Sequence, residues 1–206
     1  MFTGFPEAAL HFYDRLELEN TREYFTAYRH VYDEAVRGPI VALAEELEAE
    51  FGPAKVFRPN RDVRFRADKS PYKTHQGAYI ATGPACGYYV EVNAREATAG
   101  GGFYAADADA LTRFREAVAD DEAGARLAAI VAELREERWV VGGDQLKTAP
   151  RGHSKDHPRI DLLRHKSLHV MREITATGEA DFTDAVGDAW QRLGTLVDWV
   201  SARLRG

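Results

Sequence analysis

An α+β fold is predicted, in which a mostly antiparallel sheet of about five or six strands is packed by N-terminal, central and C-terminal helices. Three observations predict it. Apolar residues recur at three- and four-residue spacing over the first fifty or so positions, the middle of the chain alternates with period two, and helical spacing then returns around one late strand. The candidate strands are joined by connections too short for crossover helices, which favours antiparallel pairing. Without a Gly-, Ser- or Pro-rich linker or an internal repeat, the 206 residues read as one domain, 1–206.

Leu10, Phe12, Tyr13 and Leu16 predict a first helix. Asn20 reads as the N-cap of a second, with Glu23 at the reciprocal capping-box position. Tyr24, Phe25, Tyr28, Val31, Tyr32, Ala35 and Val36 then form an apolar face, and the four aromatics among them are expected in the core, not on a stacking platform. Gly38-Pro39 interrupts this helix. The face resumes with Ile40, Leu43, Ala44, Leu47 and Phe51 and ends at Gly52-Pro53.

Strand periodicity follows. Val63 and Phe65 alternate with polar neighbours, and Tyr88, Val90 and Val92 alternate with Tyr89, Glu91 and Asn93. Ala78–Ala81 and Gly102–Tyr104 are shorter candidates. Helices return at about Asp107–Ala119 and Glu122–Glu136. Trp139-Val-Val-Gly-Gly predicts a short strand and turn, and Leu168–Ile174 a last strand. Phe182, Val186, Trp190, Leu193, Val197, Val200 and Leu204 carry the strongest helical period in the chain.

An apolar share of 45% with 29% charged residues fits a globular chain and excludes a disordered one. Cys86 is the one cysteine, so no disulfide framework supports the fold, and nothing beside it in sequence would depress its pKa. The start, Met1-Phe-Thr-Gly-Phe-Pro, lacks the pattern of a signal peptide, and no apolar run is long enough to span a membrane. A soluble, cytoplasmic protein with no membrane partner is expected.

Charge is unevenly placed. The formal net charge is −6, which argues against a generic nucleic-acid coat. Yet residues 55–75 hold seven Lys or Arg against two Asp, and residues 147–172 hold seven against two. The rest of the chain carries 13 basic and 29 acidic residues, and five of the seven histidines lie within the two basic segments. For any single side chain, a solvated face paired with acidic helices is the better reading. For the two segments together an anionic partner is favoured, since pooled charge repels itself unless acids or a ligand offset it. Arginine adds bidentate donors suited to phosphate and carboxylate.

The first segment has the sharper pattern. If Arg61–Arg66 is a strand, Arg61, Val63 and Phe65 share one face and Asp62, Arg64 and Arg66 the other, with Asp62 paired to one of those arginines. Asp68-Lys-Ser-Pro-Tyr-Lys is turn chemistry, presenting Lys69, Tyr72, Lys73 and His75 together as a set that could hold an oxyanion and move a proton.

Phe57-Arg-Pro-Asn-Arg-Asp-Val-Arg-Phe and Asp68-Lys-Ser-Pro-Tyr-Lys-Thr-His, followed by Gly77-Ala, resemble the signature of a bacterial and fungal family catalogued as a domain of unknown function, number 2461 in that series. Gly4-Phe-Pro, Asn20-Thr-Arg-Glu-Tyr-Phe, Gly100-Gly-Gly-Phe-Tyr and Leu146-Lys-Thr-Ala-Pro-Arg-Gly through Leu162-Leu-Arg-His-Lys extend the match over nearly the whole chain. The resemblance implies one complete family domain, and it carries no established reaction. It also implies that both basic segments belong to the family pattern: Arg58, Arg61, Arg64, Lys69, Lys73 and His75 in one, Lys147, Arg151, His157 and Lys166 in the other. Arg66, Arg164 and His165 depart from that pattern.

Other motifs carry less. No Lys-Ser/Thr follows Gly100-Gly-Gly, so it is not a phosphate loop and instead marks a close approach of backbone to backbone or ligand. His153 and His157 have a zinc-like spacing without further ligands at a matching distance, as do His165 and His169, so no metal and no cofactor is expected. The expected function is binding of a small phosphorylated or carboxylated ligand, possible enzymatic use included. Arg58, Arg61, Arg64, Lys69, Tyr72, Lys73, Lys147, Arg151 and Lys166 would contact the anion, and His75 and His157 would serve as acid or base. The alternatives are a nucleic-acid-binding module with a basic stripe and a protein that docks an acidic partner. Composition says nothing of oligomeric state.

Overall fold

The computed structural model describes residues 1–64, 67–175 and 179–205. It has an α+β architecture built on one six-stranded antiparallel sheet, in the order β1-β2-β3-β4-β6-β5. The strands are β1 (Ala54–Val56), β2 (His75–Gly83), β3 (Cys86–Asn93), β4 (Ala97–Phe103), β5 (Val140–Gly142) and β6 (Leu168–Glu173). Residues cluster into two compact units. One comprises Met1–Ile80, Tyr89–Thr98 and Glu173–Asp188, the other Ala81–Tyr88, Ala99–Arg172 and Ala189–Gly206.

The first unit opens with α1 (Glu7–Leu18), α2 (Arg22–Ala27) and α3 (Arg29–Val31). Thr21, not Asn20, caps α2: its hydroxyl accepts from the Tyr24 N–H at 3.1 Å. Glu23 is therefore one position short of the capping-box site. Asn20 is occupied elsewhere, donating to the Tyr72 carbonyl and accepting from the Tyr72 N–H, each at 3.0 Å. Removing the cap with Thr21→Ala is expected to lower stability by about 1 kcal/mol, read from urea unfolding.

Gly38-Pro39 does not break the helical path. Pro39 has no N–H to give, and the chain absorbs the missing bond in a π-helical turn, Tyr32–Arg37, closed by the Gly38 N–H on the Asp33 carbonyl. α4 (Gly38–Phe51) continues from it and stops at Gly52, whose φ of +93° an L residue would resist. Phe12, Tyr13, Leu16, Phe25, Tyr32 and Val36 form one buried cluster. Tyr28 was expected there but is 47% exposed, its ring tilted against that of Tyr24 at 4.7 Å between ring centres.

The expected strand through Val63 does not form, and Phe65 and Arg66 lie outside the described residues. Strand β1, seven residues earlier, pairs antiparallel with β2, Ala54 opposite Ile80. Between them the chain makes an irregular excursion, tied across its base by Phe57 N–H to the Gly77 carbonyl, Lys73 N–H to Pro59 and Arg61 N–H to Pro71. Two prolines cannot donate to a ladder, and the Asp62 and Asp68 carboxylates capture the Arg64 and Ser70 N–H groups that a strand would need.

In the second unit, α5 (Ala108–Ala119) and α6 (Asp121–Glu136) begin at Asp107 and Asp120, whose carboxylates accept from the first-turn N–H groups. One further helical turn, α7 (Ile160–Leu163), was not anticipated. Gly100 and Gly102 of β4 pack directly on the backbone of β6, as their lack of a side chain suggests. The last helix, α8 (Glu179–Leu204), buries all seven residues of its expected apolar face. Among the described residues no helix is long and apolar enough to cross a membrane.

Candidate functional site

The excursion from Phe57 to Thr74 belongs wholly to the first unit, and its charges are partly spent on itself. Asp62 receives both Arg64 Nε and Nη2, at 3.0 and 2.7 Å, and this bond holds its carboxyl at a pKa of about 2. Arg61 donates to Asp68, whose carboxyl is held below its usual range first by the Ser70 hydroxyl and N–H. Lys69 folds back onto the Val63 carbonyl at 3.0 Å. Arg61 and Arg64 thus enter carboxylate pairs within the excursion itself, not with the acidic helices, and the Arg64–Asp62 pair is the one expected from sequence.

Lys73 and Arg58 are different. The Lys73 ammonium donates to the Arg58 carbonyl at 3.1 Å and lies 5.0 Å from the centre of the Phe57 ring. Neither side chain has a carboxylate within 4 Å among the described residues. Partial burial, and then the positive charge of Arg58, push the Lys73 pKa down. Tyr72 faces inward, its ring stacked 4.0 Å from that of Phe25 and its backbone clasped by Asn20, so it anchors the excursion to α2.

Two residues after Lys73, β2 starts with His75, which feels the charges of Lys73 and Arg61. The His75 Nε2 stands 3.7 Å from Glu91 Oε2, and the same oxygen accepts the Tyr89 hydroxyl at 2.6 Å. Tyr89 and Glu91 occupy the half-buried face of β3, while Tyr88, Val90 and Val92 fill the core from the opposite face. Gly77 makes room for Tyr89: a Cβ there would lie 2.3 Å from the phenol oxygen. Burial is the main cause of a lowered His75 pKa. Glu91 opposes it, and Lys73 and Arg61 reinforce it. Burial, aided by Glu91, also raises the Tyr89 pKa far above the normal phenol value.

Gln76 fixes this corner. It is 1% exposed, accepts the Tyr32 hydroxyl at 2.7 Å, and donates to the Phe57 and Gly77 carbonyls at 2.8 and 3.0 Å. The π-helical turn is the element that carries Tyr32 to it. Glu91, Tyr89, Gln76 and Tyr32 were missed from sequence. Glu91 and Tyr89 appeared there only as the polar half of an alternating strand, and nothing in one sequence gives the register that brings them to His75.

The second basic segment belongs to the other unit, and much of its charge is structural. Arg159 is 13% exposed and donates to the carbonyls of Val118, Ala119 and Asp120, closing the C-terminal end of α5. Arg164 donates to the Leu146 and Lys147 carbonyls, and Arg172 covers the Trp139 ring. Lys166 stands 4.0 Å from Asp144. His165 is buried with Nδ1 donating to the Ser167 carbonyl, which leaves Nε2 to accept from Gln145; burial lowers its pKa. His157 Nδ1 accepts the Arg159 N–H and so shapes a turn. Lys147 and Arg151 are exposed. Among the described residues no group of three His, Cys, Asp or Glu side chains is placed to hold a metal ion. Cys86 is buried, and burial pushes its thiol up to a pKa of about 11, which makes it a poor nucleophile.

No curated protein matches the chain. The family model described as conserved hypothetical protein (DUF2461) matches residues 8–199. Both basic segments and every residue of the His75 corner fall within that span. The chain belongs to this family of conserved hypothetical proteins, DUF2461.

Proposed function

We propose that the first unit binds a small anionic molecule, phosphorylated or carboxylated, at the cations that precede His75. One observation carries the reading: the Lys73 ammonium is tied to the Arg58 carbonyl with the positive charge of Arg58 near enough to disfavour its own, and neither side chain has a carboxylate within 4 Å among the described residues. Like charges held together raise the free energy of the fold, and an anion lowers it. Arg61 and Arg64, by contrast, already carry their counterions on Asp68 and Asp62. The ligand set is accordingly narrower than the basic segment, with Arg58 and Lys73 foremost, followed by His75.

Titration with sodium sulfate and sodium phosphate at constant ionic strength, followed by NMR of the arginine Nε–H and lysine side-chain signals, tests this. Saturable shifts at Arg58 and Lys73 are expected. Lys73→Met is expected to weaken binding about tenfold, the value of one charge-assisted hydrogen bond. Signals that drift linearly with anion, or an unchanged affinity in Lys73→Met, would count against the site.

A further inference from the structure

We infer that this site takes a doubly charged, phosphate-like anion together with one proton, and that the proton sits on His75. The inference rests on the anion-binding reading above and names its ligand class. It follows from which charges around His75 are already matched.

Four charged side chains act at this corner besides the ligand. Arg61 approaches from the excursion, but its charge is met by Asp68. Lys73 approaches from the same excursion with no carboxylate within 4 Å among the described residues, and Arg58 lies beside it, its nearest acidic influence being the Asp62 carboxylate that Arg64 already binds. Glu91 comes from β3 and is 3.7 Å from His75. The neutral groups facing it are Tyr89 from β3, which donates to Glu91, and Tyr13 from α1, which influences Tyr89. With His75 neutral, Arg58, Lys73 and Glu91 leave a single positive charge. A monoanion such as a carboxylate completes that set. A dianion leaves one negative charge over, and the group placed to answer it is the His75 imidazole, whose side chain is 36% exposed.

Protonation is held back in the protein alone because burial, Lys73 and Arg61 disfavour the imidazolium, while Glu91 favours it. A bound dianion cancels the cations and adds its own negative charge to that of Glu91, so the two together oppose the burial that remains. The Tyr89 hydroxyl keeps the Glu91 carboxylate in place by donating to Oε2, the oxygen nearest His75. Glu91 is a positioning residue, and His75 is the group that touches the anion.

The signs are fixed by linkage. If the ligand raises the His75 pKa, affinity increases as pH falls through the window between the bound and free values. It then levels off below the free value. Sulfate is the probe, because its own charge is constant across this range, whereas phosphate titrates within it.

The experiment follows the His75 ring signals by NMR as a function of pH, alone, with saturating sulfate and with saturating acetate at constant ionic strength. Sulfate is expected to move the His75 midpoint up by about one pH unit, and to bind more tightly as pH falls from about 8, by about tenfold once the pH is well below the free midpoint. Acetate is expected to leave the midpoint in place. Glu91→Gln keeps the side-chain shape and an acceptor for Tyr89, and it should abolish most of the tenfold pH dependence. Sulfate that shifts the Arg58 and Lys73 signals without moving the His75 midpoint would overturn the proton claim and leave the anion site standing. An equal movement with acetate would overturn the dianion preference. If no anion perturbs Arg58 or Lys73, both the site and this inference fall.

Discussion

Gln76→Leu is expected to lower stability by about 2–4 kcal/mol, because one buried side chain satisfies three polar partners at a mostly buried corner. The amide is 1% exposed and holds the Tyr32 hydroxyl, the Phe57 carbonyl and the Gly77 carbonyl. Leucine fills nearly the same volume, so cavity formation adds little. The loss comes from polar groups left without partners. Gly77 retains the Phe57 N–H as a donor, so the main orphans are the Tyr32 hydroxyl, in a residue 2% exposed, and the Phe57 carbonyl. Adding Tyr32→Phe to Gln76→Leu removes the first orphan. The double variant should therefore be destabilised less than the two single effects together, with a coupling of about 1 kcal/mol in urea unfolding. Strict additivity would show that the Tyr32–Gln76 bond contributes nothing. Anion binding reads a second consequence. The Phe57 ring lies under the Lys73 ammonium, and the Phe57 carbonyl is one of the ties at the base of the excursion. Gln76→Leu should thus weaken sulfate binding about threefold or more although Gln76 touches no ligand, the pattern of a residue that holds others in place.

The fold and the site were legible in the sequence to different depths, and the reasons are physical. The helices could be read because burial imposes a period on them. Every apolar residue expected on the face of α8, from Phe182 to Leu204, is buried. Tyr88, Val90 and Val92 were equally plain, since one face of β3 meets the core and the other does not. The same rule misled at Val63. An alternation of Arg, Asp, Val and Arg satisfies strand periodicity, but Pro59 and Pro71 remove donors and the two aspartates prefer nearby N–H groups. Two residues that both accept hydrogen bonds on short side chains competed for the start of α2. Asn20 lost that position because Tyr72, fifty-two residues later, offered it a donor and an acceptor at once.

The site divides along the same line. Composition located the charge, and the cations Arg58 and Lys73 were named from it. Composition did not reveal that Asp62 and Asp68 cancel two arginines, which is a matter of loop geometry. Nor did it show that Arg159 and Arg164 serve backbone carbonyls. Glu91 was invisible as a partner of His75 because a carboxylate on a half-buried strand face is ordinary until its neighbour across the sheet is known. Local chemistry could be read from one sequence; partnerships between distant residues could not.

Gly102→Ala is expected to cost more than about 3 kcal/mol, the largest effect of any single methyl addition in β4. Two penalties coincide. The backbone at Gly102 has φ +135°, a region L residues rarely enter. The added Cβ would also lie 2.2 Å from the Leu168 carbonyl oxygen and 2.8 Å from the His169 Cα. Both obstacles are backbone of β6, so no rotamer change relieves them, and the pairing of β4 with β6 must open. Gly152→Ala separates the two causes. Its φ is +88° and nothing lies within 4 Å of the added carbon, so it reports backbone strain alone, about 1 kcal/mol. Gly101→Ala isolates the contact instead: its backbone is unstrained and the nearest atom, Val197 Cγ2 at 3.0 Å, belongs to a side chain that can shift. Urea unfolding should rank the three with Gly102→Ala far ahead. If Gly102→Ala proved no worse than Gly152→Ala, the close approach of β4 to β6 would contribute nothing. The run Gly100-Gly-Gly would then need another explanation than the room it gives to a neighbouring strand.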